Sequence, residues 1–341
     1  MEHAYMYWHQ STYTESSKVT RKCYALHEQY RVTTMSFGLA ETYDHNGRPV
    51  KHGRARVNGI RMHYITAGSG PALLLCHGTP KNSFYWYKLF PLLTPHFTLV
   101  APDFRGFGYT DKPPATEGYD SKTNVDDVKE LMDQLGHQKF YVHGEDRGAD
   151  YAYAIAGYLR DRVIKLSFCE MLLSGLGLEE SSFWTPENVT AQYRQEGVWC
   201  WHLPFFFIPH IPEMLIAGHE REFWEMFIKQ ECYNPSSIEP LALNHWVECV
   251  KQPGCLRGIL ETYRAGFKNG EQNRELAKRR LSIPVATIGA PEFFGPRVKE
   301  CAESFAEKVV RSEIFEECGH SLALEKPERL ANFLREFFLG D

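Results

Sequence analysis

Tyr141-Val142-His143-Gly144-Glu145-Asp146-Arg147-Gly148-Ala149 runs from an apolar strand through a Gly-x-Asp-x-Gly turn into a helix read over Tyr151–Tyr158. Small residues on both sides of Asp146 permit a sharp, strained strand-to-helix turn that exposes one side chain at a sheet edge. A carboxylate held at a helix N-terminus stays ionised, because the backbone N–H groups and the helix dipole favour its charge. The same stretch also fits a plain turn with Asp146 as an N-cap, so its meaning depends on what surrounds it.

On both sides the chain alternates short apolar runs with amphipathic segments. Strands are read at Gly53–Val57 and Ile60–Thr66, joined by the tight turn Asn58-Gly59. Buried strands follow at Ala72–Cys76, Phe97–Ala101, Phe140–Val142, Val163–Phe168, Pro284–Ile288 and Glu313–Glu316. A helix over Asn124–Leu135 carries Val125, Val128, Leu131, Met132 and Leu135 on one face and ends at Gly136. Such alternation predicts an α/β fold with a mostly parallel central sheet and helices on both faces.

Between 174 and 281 the pattern changes: aromatics crowd the stretch and its helices lead to no buried strand. This reads as a helical cap inserted into a core formed by 37–173 and 282–341, with a final helix over Glu325–Phe338. An aromatic lid over a sheet makes an apolar pocket, although some of these rings must fill the lid's own core. Residues 1–36, rich in Tyr, His, Ser and Thr without periodicity, read as an N-terminal extension.

The chain has 341 residues and a formal net charge of −5; with no basic concentration, nucleic acid is not expected as a partner. No apolar run approaches the length of a membrane span. Nine cysteines lie scattered, without zinc-type spacing and without an apolar leader before them. The expectation is a cytoplasmic protein with reduced thiols, no metal and no organic cofactor. A homodimer stays open.

Attack by Asp146 on a carbon would form an alkyl ester, so the electrophile is an epoxide or an sp³ carbon bearing a leaving group. Two further segments fit that chemistry. His77-Gly78-Thr79-Pro80 follows a strand, and the backbone N–H groups of Thr79 and Arg147 form a candidate oxyanion pair. Cys318-Gly319-His320 follows the last strand, where His320 is placed to act as general base. The histidine needs a carboxylate to hold its tautomer; Glu170, ending one strand, and Glu292, on the loop after another, are both candidates. Asp103 and Arg105 read as braces for the loop beside the oxyanion site, and Glu145 as packed beneath the turn.

Together, His77-Gly78-Thr79-Pro80, Pro102-Asp103-Phe104-Arg105-Gly106-Phe107-Gly108, Gly144-Glu145-Asp146-Arg147-Gly148, Tyr263 and Gly319-His320 resemble the epoxide hydrolase and dehalogenase branch of the α/β-hydrolases, over about residues 50–341. The resemblance implies an α/β-hydrolase fold with a nucleophile elbow at Asp146 and the triad order nucleophile, acid, histidine. It favours Glu170 as the acid, since fluoroacetate dehalogenases carry theirs at the end of the strand after the elbow. Those enzymes also place a second Arg three residues beyond the first; Asp150 stands there, which would repel a carboxylate substrate.

Epoxide hydrolases polarise the epoxide oxygen with two cap tyrosines. Tyr263 matches one, and His202, with Trp201 beside it, stands where the other is expected. The resemblance thus implies Tyr263 and His202 as leaving-group stabilisers, with Arg147, Trp201 and His77 against a small apolar or ring-containing substrate and water as co-substrate. Epoxide opening is the first expectation and halide displacement the second. A pocket that binds without turnover is the third, because the fold also serves as a receptor.

Overall fold

Asn58 and Gly59 both adopt positive φ, 42° and 82°, the backbone of a two-residue hairpin turn. They fold β1 (Lys51–Val57) antiparallel onto β2 (Ile60–Ala67), as the sequence suggests. The computed structural model describes residues 40–194 and 199–340; the stretch read as an extension, 1–36, lies outside the described residues.

The sheet is completed by β3 (Ala72–Cys76), β4 (Thr98–Pro102), β5 (Phe140–Glu145), β6 (Val163–Cys169), β7 (Val285–Gly289) and β8 (Val309–Ile314), in the order β1-β2-β4-β3-β5-β6-β7-β8. β2 pairs antiparallel with β4, and every pairing from β4 to β8 is parallel. β3 and β7 are buried along their whole length, as a parallel sheet covered on both faces requires. β8 begins earlier than the sequence suggests, at Val309. As the edge strand it alternates half-buried with exposed residues and so lacks the continuous apolar run that marks the others.

Helix Ser121–Gln134 starts on the Asp120 side chain, which accepts from the Thr123 N–H, and buries Val125, Val128, Leu131 and Met132. It stops at Gly136, where a φ of 79° suits a residue without a Cβ. The last helix is split: Pro327 opens the long helix Pro327–Leu339, and Leu322–Glu325 forms a separate turn of helix before it, because proline fits a helix start and not its interior.

Between β6 and β7 the described residues form helices and turns and add no strand to the sheet. Most of the aromatics there pack on one another: Phe206, Phe223, Trp224 and Phe227 form one set of contacting rings. Trp184 faces solvent at 88% exposure. Only part of this aromatic content therefore belongs to a pocket wall.

Candidate active site

The central strands end level. Cys76 of β3 pairs with Gly144 of β5, Glu145 with Cys169 of β6, and Cys169 with Ile288 of β7. The loops that follow leave the sheet side by side where the strand order reverses around β3, the crevice in which parallel sheets bind ligands.

Asp146 is the first residue past β5 and takes φ 59°, ψ −139°, a strained conformation of the kind concentrated at functional sites. The turn is tight enough that a Cβ on Gly148 would lie 1.8 Å from the Cys76 carbonyl oxygen, so only glycine fits there. The Asp146 side chain keeps 13% of its surface open, and the backbone N–H groups of Thr79 and Arg147 donate to its two oxygens at 3.0 and 2.5 Å. The two amides expected to form an oxyanion pair thus already converge on the carboxylate.

His320 Nε2 lies 3.5 Å from Asp146 Oδ2, and its Nδ1 lies 3.3 Å from Glu170 Oε2. Glu170, also at positive φ (46°), is fully buried and accepts from the N–H groups of Ala290 and Phe294 at 2.5 and 3.4 Å. Of the two candidate carboxylates, Glu170 is the one brought to His320; Glu292 is half-buried on the loop that supplies those amides. Phe293 stacks on the imidazole, with centroids 3.8 Å apart, and the His320 N–H donates to the Glu231 carbonyl at 2.7 Å.

From the helical insertion, Tyr263 and His202 line the same pocket as Asp146, Arg147 and His320, their rings 5.8 Å apart. Arg147 places its guanidinium 4.5 Å over the Tyr263 ring and pairs with buried Asp150 at 3.4 Å. The structure brings neither His77 nor Trp201 to the pocket lining. His77 donates from Nδ1 to the Gly78 carbonyl and accepts at Nε2 from the Phe104 N–H, so both ring nitrogens are engaged in the loop. Trp201 packs on Phe205, Phe223 and Phe227.

Residues 71–197 match the family model of the alpha/beta hydrolase fold. A soluble epoxide hydrolase from Corynebacterium sp. (strain C12) is 32% identical over 294 residues, covering 85% of this chain and 97% of that protein. A fluoroacetate dehalogenase from Burkholderia sp. is 28% identical over 287 residues, covering 82% and 91%. The crystal structure of Cfl2 from Burkholderia cenocepacia superposes with a TM-score of 0.79 at 30% identity, covering 88% of this chain and all of that one. The chain belongs to the α/β-hydrolase family, in its epoxide hydrolase and dehalogenase branch.

In this α/β hydrolase the charges of the site are strongly coupled. Burial alone would raise the Asp146 pKa, but His320, Lys81 and the Arg147 amide hold it well below the usual carboxylate range. Burial alone would lower the His320 pKa; the Asp146 and Glu170 carboxylates override it and raise it to about 10. The two carboxylates thus favour the charged form of His320 beside Asp146. Burial pushes the Tyr263 hydroxyl far up and His202 down to about 3, so both stay neutral hydrogen-bond donors at physiological pH.

Beneath the hydrolase elbow, Glu145 accepts from the Tyr85 hydroxyl, and Lys81 donates to Ser321 Oγ at 3.1 Å. Asp103 accepts from the N–H groups of Ser83 and Tyr109, and Arg105 pairs with Asp127, bracing this loop as the sequence suggests. Sequence reasoning missed Phe293 against His320 and missed Glu231, which lines the pocket. No motif marks either: one lies in a loop, and the other is one of several glutamates in and just after an amphipathic helix.

Proposed function

We propose that this hydrolase opens an epoxide by water addition through a covalent ester on Asp146. The observation that carries the reading is the convergence on one partly buried carboxylate of two backbone amides and a histidine that is itself backed by a buried glutamate. An Asp146 oxygen attacks an epoxide carbon; the C–O bond of the ring breaks, and the departing oxygen is stabilised by hydrogen bonds from Tyr263 and His202. Esterification removes the negative charge that holds the His320 pKa up, so His320, oriented by Glu170, can pass its proton by way of solvent to the new alkoxide and then serve as base toward water. Water then attacks the ester carbonyl, whose developing charge the Thr79 and Arg147 amides stabilise, and the diol leaves with Asp146 restored.

The scheme uses no metal or organic cofactor, and the helical insertion 174–281 serves as the lid. A halide leaving group would use the same residues, and the fluoroacetate dehalogenase relative speaks for it. The Arg147–Asp150 pair speaks against a haloacid, since the guanidinium that would hold a substrate carboxylate is already engaged. The test is intact-protein mass spectrometry of His320→Gln incubated with aryl epoxides and haloacids. Removal of the base strands the ester, so an epoxide-sized mass gain that disappears in the double variant with Asp146→Asn is expected. A gain from haloacids with halide release would favour the dehalogenase reading, and no gain from any compound would favour a binding role.

A further inference from the structure

Glu231 sits on the turn after helix Glu220–Lys229 and lines the pocket that holds Asp146, Tyr263 and His320. It is 7% exposed. Its backbone has a structural task, since the carbonyl accepts the His320 N–H. Its side chain has none: the described residues give its carboxyl no hydrogen-bond donor and no ion-pair partner within reach of a direct contact. Burial pushes its pKa up to about 7, the expected response of a carboxyl left without a partner.

A buried acid without a donor destabilises the fold that holds it, and an apolar side chain at the same place would not. The reaction scheme accounts for its protons with Asp146, Tyr263, His202, His320 and Glu170 and assigns Glu231 no step. The apolar part of the pocket wall includes Leu178, Leu203, Phe227 and Phe293, and the polar groups that line it with Glu231 are those the reaction scheme already uses, with Arg147 held by Asp150. What is missing from this arrangement is a donor brought by the substrate.

We propose that Glu231 accepts a hydrogen bond from one O–H or N–H group carried by an otherwise apolar substrate a few bonds from its reacting carbon. The inference rests on the epoxide reading only for the identity of the reacting group. The preferred substrate is thus a hydroxy- or amino-substituted epoxide and not a plain hydrocarbon epoxide. A site built around such a donor discriminates strongly against the analogue that lacks it, because the protein acceptor is then left buried and unpaired.

The test uses unreactive alkenes, so that it does not depend on turnover. Binding of cinnamyl alcohol, cinnamylamine and trans-β-methylstyrene is measured by calorimetry on the full chain, on Glu231→Leu and on Glu231→Gln, each checked for folding by thermal unfolding. In the wild type the alcohol or the amine should bind at least about tenfold more tightly than the hydrocarbon, and in Glu231→Leu that ratio should fall to near one. Glu231→Gln keeps the shape and one acceptor; it should preserve a preference for the alcohol but not for the ammonium, which separates the two donor types and carries the test if the leucine variant fails to fold. A wild-type ratio near one, an unchanged ratio in the variants, or no binding of any of the three would overturn the proposal. Failure to turn over the matching epoxides, with the ratio intact, would instead overturn the epoxide reading and leave this one standing.

Discussion

Gly319→Ala should uncouple the two halves of the reaction. A Cβ on residue 319 would lie 2.3 Å from the Glu231 carbonyl oxygen, 2.6 Å from the Tyr233 N and 2.7 Å from the Cys232 Cα. All three are backbone atoms, so no side chain can swing aside. Restoring ordinary contact requires the histidine loop and the 231–233 segment to separate by about 1 Å, a displacement that costs on the order of 10²-fold in rate when it misplaces a reacting group. It also breaks the 2.7 Å bond from the His320 N–H to Glu231; together with overpacking, the loss of stability should be about 2–4 kcal/mol. On the proposed mechanism His320 serves ester hydrolysis and Asp146 ester formation, so rapid-mixing kinetics on an aryl epoxide should show hydrolysis slowed far more than alkylation, with ester accumulating. Wild-type turnover, or equal slowing of both steps, would refute the placement of His320 as the hydrolytic base.

Glu170→Gln should leave ester formation largely intact and cut turnover roughly 10⁴-fold, read as a burst of bound substrate without product. Asp150→Asn leaves Arg147, whose side chain is 3% exposed, as a buried cation without its ion-pair partner, and should cost about 3–5 kcal/mol in urea unfolding. His320 has its pKa raised from 6.5 to about 10, with Asp146, Glu170 and Glu231 facing it; its contribution to stability is complete below about pH 6.5 and is lost as the pH rises toward 10. Thermal unfolding across that window should therefore fall more steeply for the wild type than for Asp146→Asn, and parallel curves would contradict the ion pair.

The sheet was legible because strands buried on both faces read as short apolar runs, and the elbow because Gly-x-Asp-x-Gly lies between a strand and a helix, with His77-Gly78 before it and Gly319-His320 after it in chain order. β8 was misplaced for the converse reason: an edge strand with polar alternation gives no such run. Adjacent residues on a helix point in different directions, so His202 reaches the pocket while its neighbour Trp201 joins the aromatic packing, a split that no linear reading resolves. His77 carried the right motif, but its two ring nitrogens are taken by Gly78 and Phe104. The choice between Glu170 and Glu292 depended on which strand end meets the His320 loop, a matter of register. Glu231 became visible only when the turn carrying it was seen against Gly319.

The central claim is that the oxygen added to the substrate comes first from Asp146 and not directly from water. It is tested most directly by a single turnover of an aryl epoxide with enzyme in excess, in water enriched in heavy oxygen, followed by mass analysis of the diol and of the peptide containing Asp146. The account predicts an unlabelled diol and label in the Asp146 carboxylate, because water attacks the ester carbonyl. Label in the diol and none in Asp146 would mean that water attacks the epoxide carbon itself, with Asp146 only assisting, and would contradict covalent catalysis.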